Sequence, residues 1–75
     1  QRLVSDVARA AQRLRRMDLV KPPGLAESID WAAALATLGA TGLDRDLAAR
    51  TLGAAVKYRE DQERVLAAVG DGGFT

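Results

Sequence analysis

The chain has no cysteine, no histidine and no asparagine, and a single tryptophan, tyrosine and phenylalanine. Each absence removes a class of function. Without cysteine or histidine, a chain of 75 residues has neither a disulfide staple nor the usual ligands of a structural metal, so packing must hold it together. The lack of histidine also leaves Ser5, Ser28 and the threonines without an imidazole base, and no lysine is placed to activate them. A catalytic centre contained within these residues is not expected. Long apolar runs are missing too: nothing approaches the roughly 20 residues that a membrane-spanning helix needs. Charges recur from Arg2 to Lys21, where a signal peptide would have an apolar block. The expectation is a soluble, cytoplasmic protein with no membrane partner.

Strand signals are scarce, because no stretch alternates with period two and β-branched residues are few. Helical periodicity is plentiful. Leu3, Val7, Ala10, Ala11, Leu14 and Met17 fall on one stripe, and Arg9, Arg13 and Arg16 on another, which predicts an amphipathic first helix over 3–17. Pro22 and Pro23 stop it, since each lacks a backbone donor and biases its predecessor away from helical angles. A second helix is predicted from about Gly24 to about Leu38. Its apolar residues Leu25, Ile29, Ala32 and Ala36, with Trp31, Leu35 and Leu38 beside them, make it the expected centre of the core.

Gly39 is placed to close that helix in a left-handed conformation, and Asp44 to cap the next. Gly53 and the loss of register near Lys57 and Tyr58 predict a bend or break, with a fourth helix from about Arg59. The run Gly70, Asp71, Gly72, Gly73 ends it. The fold class is therefore all-α: a small bundle of about four short helices over 1–70, followed by a flexible tail at 71–75.

Candidate chemistry is sparse. Glu60, Asp61 and Glu63 sit beside Arg59 and Arg64 and read as a solvated helix face rather than a metal site. Glu27 and Asp30, three apart, could face one cleft as a carboxylate pair; anions near the positive end of a helix are the stronger reading. No G-x-x-x-x-G-K-[ST] loop occurs.

Charge is unevenly spread. Residues 1–21 hold six cations against two anions, while residues 22–75 hold five against eight. The basic first helix could meet nucleic-acid phosphates. The overall charge of only +1, and the lack of asparagine to read adenine, weigh against that and favour a solvated or subunit-facing stripe. Trp31 reads as a core or interface anchor. A start at Gln1 suggests a segment of something larger.

The order LRRMDLVKPPGLAESIDWAAAL, a Gly-rich connection, then LDRDLAARTLGAAVKYREDQERV resembles the C-terminal helical lid of MoxR-type AAA+ ATPases, in the branch linked to maturation of enzymes such as carbon monoxide dehydrogenase. The likeness spans about Val4 to Val69. KPP at 21–23, AES-IDWA at 26–32 and TLG with KY across 51–58 are its most specific parts.

The resemblance implies an AAA+ lid-like bundle that closes over ATP and magnesium held by an N-terminal α/β domain of the same chain. It also implies neighbouring subunits in a hexameric ring, a von Willebrand A domain partner, and chaperone-like remodelling of client enzymes. Lys21, Pro23, Glu27 and Asp30 would then lie nearest the nucleotide, and Trp31, Arg9, Arg13 and Arg16 at domain or subunit interfaces. Many such lids carry a sensor arginine near the second helix start; here the stretch reads Gly24, Leu25, Ala26, Glu27. No catalytic residue, metal ligand or cofactor is assigned within this segment itself. The competing reading is an independent helical binding module that uses the basic first helix for nucleic acid or a protein partner.

Overall fold

In a computed structural model, which describes residues 2–70, the first apolar stripe forms α1 (Arg2–Arg16). It contains neither glycine nor proline, and Arg13, Arg15 and Arg16 in its last turn complement the negative end of the helix dipole. Leu3, Val7, Ala10, Ala11 and Leu14 are buried, as the spacing predicts. The helix ends where the Met17 N–H turns back to the Leu14 carbonyl, ahead of the two prolines.

Next comes α2 (Leu25–Thr37). It closes through a Schellman arrangement: Gly39, at φ +75°, donates to Ala36, and the Ala40 N–H donates to the Leu35 carbonyl. Both bonds satisfy carbonyls that the helix end leaves open, and a residue with a Cβ would be strained at that φ. The short α3 (Arg45–Thr51) starts at Asp44, whose carboxylate accepts from the Leu47 N–H at 2.8 Å. A 3₁₀ turn, Leu52–Ala54, and a link through Tyr58 then lead to α4 (Arg59–Gly70). The predicted break is therefore present. Lys57 Nζ donates to the Gly53 and Ala54 carbonyls and the Gln62 side-chain amide donates to the Val56 carbonyl, so this link meets much of its backbone demand with side chains.

Trp31 is the largest side chain enclosed by the bundle, with no exposed surface. Around it lies a core that includes Leu3, Val7, Leu14, Leu35, Leu52, Val56 and Val65. Its indole N–H donates to Thr51 Oγ1 at 2.8 Å, and the Thr51 hydroxyl donates onward to the Leu47 carbonyl at 2.7 Å. Enclosing an indole without a partner for its N–H would be costly; Thr51 removes that cost and ties α2 to the end of α3.

Two expectations need correction. The stripe Leu25, Ile29, Ala36 is not core: Leu25 and Ile29 are 75% and 59% exposed, and Leu38 is 54% exposed. At 100° per residue α2 is apolar around much more than one face, and the bundle covers only the side bearing Trp31 and Leu35. The second correction is Asp61, read as part of a solvated acidic face. It is 1% exposed. It lies four residues before Val65 and eight before Val69, both buried, so it heads the inward stripe of α4. Its two oxygens accept from the Val20 and Lys21 N–H groups at 2.8 and 2.9 Å. The expected tail at 71–75 lies outside the described residues.

Two substitutions test this account. Trp31→Ala should cost about 3–5 kcal/mol, as much as a core this small supplies, and the far-UV helical signal should collapse at 25 °C. Asp61→Asn places an amide donor against a backbone N–H; the expected loss is about 1–3 kcal/mol, read as a lower urea midpoint with unchanged slope.

Candidate functional site

Of the residues singled out from sequence, Lys21, Pro23 and Glu27 lie at the link between α1 and α2. This link cannot be helical, because of its prolines, so its polar groups find partners elsewhere. Asp61 takes two of its N–H groups, and the Pro23 carbonyl accepts from Arg15 Nε at 3.2 Å. Arg64 adds a bond to the Asp18 carbonyl. Pro23 is buried, whereas the Lys21 side chain stands in solvent although its backbone is pinned.

Glu27 sits in the first turn of α2 and reaches back to accept from the Gly24 N–H at 2.9 Å. This is half of a capping box, since Gly24 has no side chain to reciprocate. The Gly24 N–H bond holds the Glu27 carboxyl below the usual glutamate range, its own backbone N–H adds to the effect, and the positive charges of Lys21 and Lys57 contribute less. Lys57 thus belongs to the electrostatic surroundings of this helix start, although it comes from the link before α4. Sequence reading missed it, because no local pattern connects residue 57 to residue 27.

Lys21, Pro23 and Glu27 are therefore gathered at one end of α2, with Asp30 exposed one turn further along. Glu27 is engaged as a cap, and two hollows among the described residues are lined by neither Glu27 nor Asp30. One hollow, of about 310 Å³, is an apolar groove between α1 and α2. The other, of about 370 Å³, lies over the 39–44 connection beside Arg2. There Asp6 accepts from the Leu43 N–H at 3.0 Å and sits 3.6 Å from Arg2 Nε. Gly42 packs closely on this contact: a Cβ would meet Arg2 Nε at 2.9 Å and Asp6 Oδ2 at 3.1 Å, so the exposed Arg2 side chain would have to shift to admit one.

The interface candidates separate. Arg9, Arg13 and Arg16 are exposed on α1, turned away from the core. Trp31 is not a surface anchor: it is sealed within this bundle, because its helix position faces α1 and α3 together with Leu35. Among the described residues no group of three acids gathers to hold a metal, and no helix is long and apolar enough to cross a membrane.

The Glu27 cap carries a pH signature. Its folded pKa is depressed, so its stabilising effect is complete above the pKa of the unfolded chain and disappears as pH falls through the folded value. Wild type should melt above Glu27→Gln at neutral pH, and the two melting temperatures should converge in acid. A gap that stayed constant down to acid pH would show that the carboxylate is not the cap.

No protein-family model, no curated protein and no solved structure matches this chain.

Proposed function

We propose that the chain is the C-terminal lid of a MoxR-type AAA+ ATPase, contributing to nucleotide-dependent closure and ring assembly in a chaperone-like machine, with no activity of its own. The observation that carries this reading is the order and spacing of KPP at 21–23, AES-IDWA at 26–32 and TLG with KY across 51–58. These blocks also meet one another in space. Trp31 of the second block bonds to Thr51 of the third, and Lys57 of the third contributes to the field at Glu27, three residues beyond the Gly24 cap that follows the first.

On this reading ATP and magnesium are held by an α/β domain in the same protein, and the end of α2 bearing Lys21 and Glu27 faces the phosphates. A lid needs contacts that differ between open and closed states. Exposed Lys21, on a backbone fixed by Asp61, supplies a charge on a flexible stem for such a contact. Because Glu27 occupies the Gly24 N–H, and no arginine stands at 24–27, the phosphate contact falls to Lys21 or to a residue of another subunit.

A second reading, an independent binding module, is favoured by the exposed arginine row of α1. Two experiments separate them. Translation of the native transcript should reveal a G-x-x-x-x-G-K-[ST] loop between a strand and a helix upstream of Gln1; a protein with no such loop would overturn the lid assignment. In the intact protein Lys21→Ala should weaken ATP binding about threefold to tenfold with its fold unchanged, the size expected for one exposed charge–phosphate contact. A gel shift with DNA at low salt should show no binding; binding that collapses steeply with salt would favour the second reading.

A further inference from the structure

The uncovered side of α2 does not stand alone. Val4 and Ala8 of α1 and Leu25 and Ile29 of α2 wall the open apolar groove, over Val7 and Ala32. Val4 is 56% exposed, so both walls present large apolar side chains to solvent. On α2 the lining runs from Leu25 to Ala32, about 10 Å, the length of two turns of a helix laid alongside.

The flanks of the groove differ in charge. At 100° per residue, Ser5, Arg9, Gln12 and Arg16 form the row of α1 next outward from Val4 and Ala8, with Arg16 two turns beyond Ala8. Asp6, the sole acid of α1, lies on the other side of the helix and is engaged with Leu43 and Arg2. On α2 the outward row is Ala26, Asp30 and Ala33. One flank is therefore basic and the other carries a single acid, Asp30.

We infer that this groove docks an amphipathic helix of a protein partner, apolar at i, i+3, i+4 and i+7, with glutamate or aspartate along the flank that lies over α1. Helix-in-groove recognition has this form. The charge complement names the partner's chemistry, because acids on that flank meet Arg9 and Arg16, while on the α2 side Asp30 would repel them. A small molecule is a poor occupant, since Ser28 is the sole polar side chain in the lining and gives almost nothing to fix an orientation. A second copy is also a poor occupant. Three large exposed side chains fall well short of the roughly 800 Å² per partner that a stable pair buries. The inference does not depend on the ATPase reading.

The test uses the ¹⁵N-labelled chain and two synthetic helical peptides. They share leucines at i, i+3, i+4 and i+7 and differ in carrying glutamates or lysines on one flank. The glutamate peptide should shift amides of residues 4–9 and 25–33 and bind about fivefold to tenfold more tightly at low salt, as two or three exposed charge pairs allow. The preference should shrink with added salt. Joint Arg9→Glu and Arg16→Glu substitution should reverse it in favour of the lysine peptide. Ile29→Glu should abolish binding of both; all three positions are exposed, so the circular-dichroism melt should be preserved. Equal binding of the two peptides, shifts elsewhere, or no reversal in the double variant would overturn the proposal, the last without relying on Ile29. Self-association of the chain that Ile29→Glu dissolves would assign the groove to a second copy instead.

Discussion

Asp61 holds the architecture at its least self-sufficient point. The link between α1 and α2 contains two prolines, so it can join neither helix, and its amides have no regular partner. Both oxygens of one buried carboxylate, some forty residues away in sequence, take the Val20 and Lys21 N–H groups. That contact fixes where α4 lies against the first half of the chain and how α2 leaves the link. Pro23 is enclosed, Arg15 reaches its carbonyl, and the start of α2 is presented with Glu27 already folded back as a cap.

The second organising contact is the enclosed tryptophan. With one aromatic residue at its centre, the domain obtains a compact core from mostly small side chains: alanines at 10, 11, 48 and 55 let the helices approach, and Trp31 fills the space between them. Its bond to Thr51 is directional where the rest of the core is not. It fixes the orientation of the ring and with it the rotation of α2 about its axis. Leu25 and Ile29 are outside for that reason: once Trp31 and Leu35 point inward, helix geometry carries the remaining apolar residues round to the surface.

Division of labour along the chain follows. The side of α2 facing the bundle is structural, its first turn is electrostatic, and its outer strip joins α1 in an apolar groove flanked by arginines on one side. Burial of Trp31 moves any surface role away from the tryptophan and onto this groove and the exposed row of α1. The loop over Gly42 is, by contrast, already satisfied from within by Asp6.

Much of this was legible in the residues. Periodicity located α1, the prolines barred any helix from continuing past Lys21, Gly39 and Asp44 marked the close of α2 and the start of α3, and Gly53 with Lys57 and Tyr58 announced the break before α4. These features are local: each is decided within a turn or two by backbone sterics, caps and the 3.6-residue repeat. Asp61 stands four and eight residues before Val65 and Val69, but an acid there reads as solvated, because nothing near it in sequence announces two orphan amides at residues 20 and 21. Which side of an apolar helix is covered, which lysine shares the field of Glu27, and whether Trp31 faces a core or a partner depend on where other segments arrive. By itself the sequence determined four helices, their ends and a basic α1. The tertiary structure alone decided the buried carboxylate, the sealed tryptophan and the open groove, because burial and long-range hydrogen bonds arise from packing between distant segments, to which local periodicity is blind.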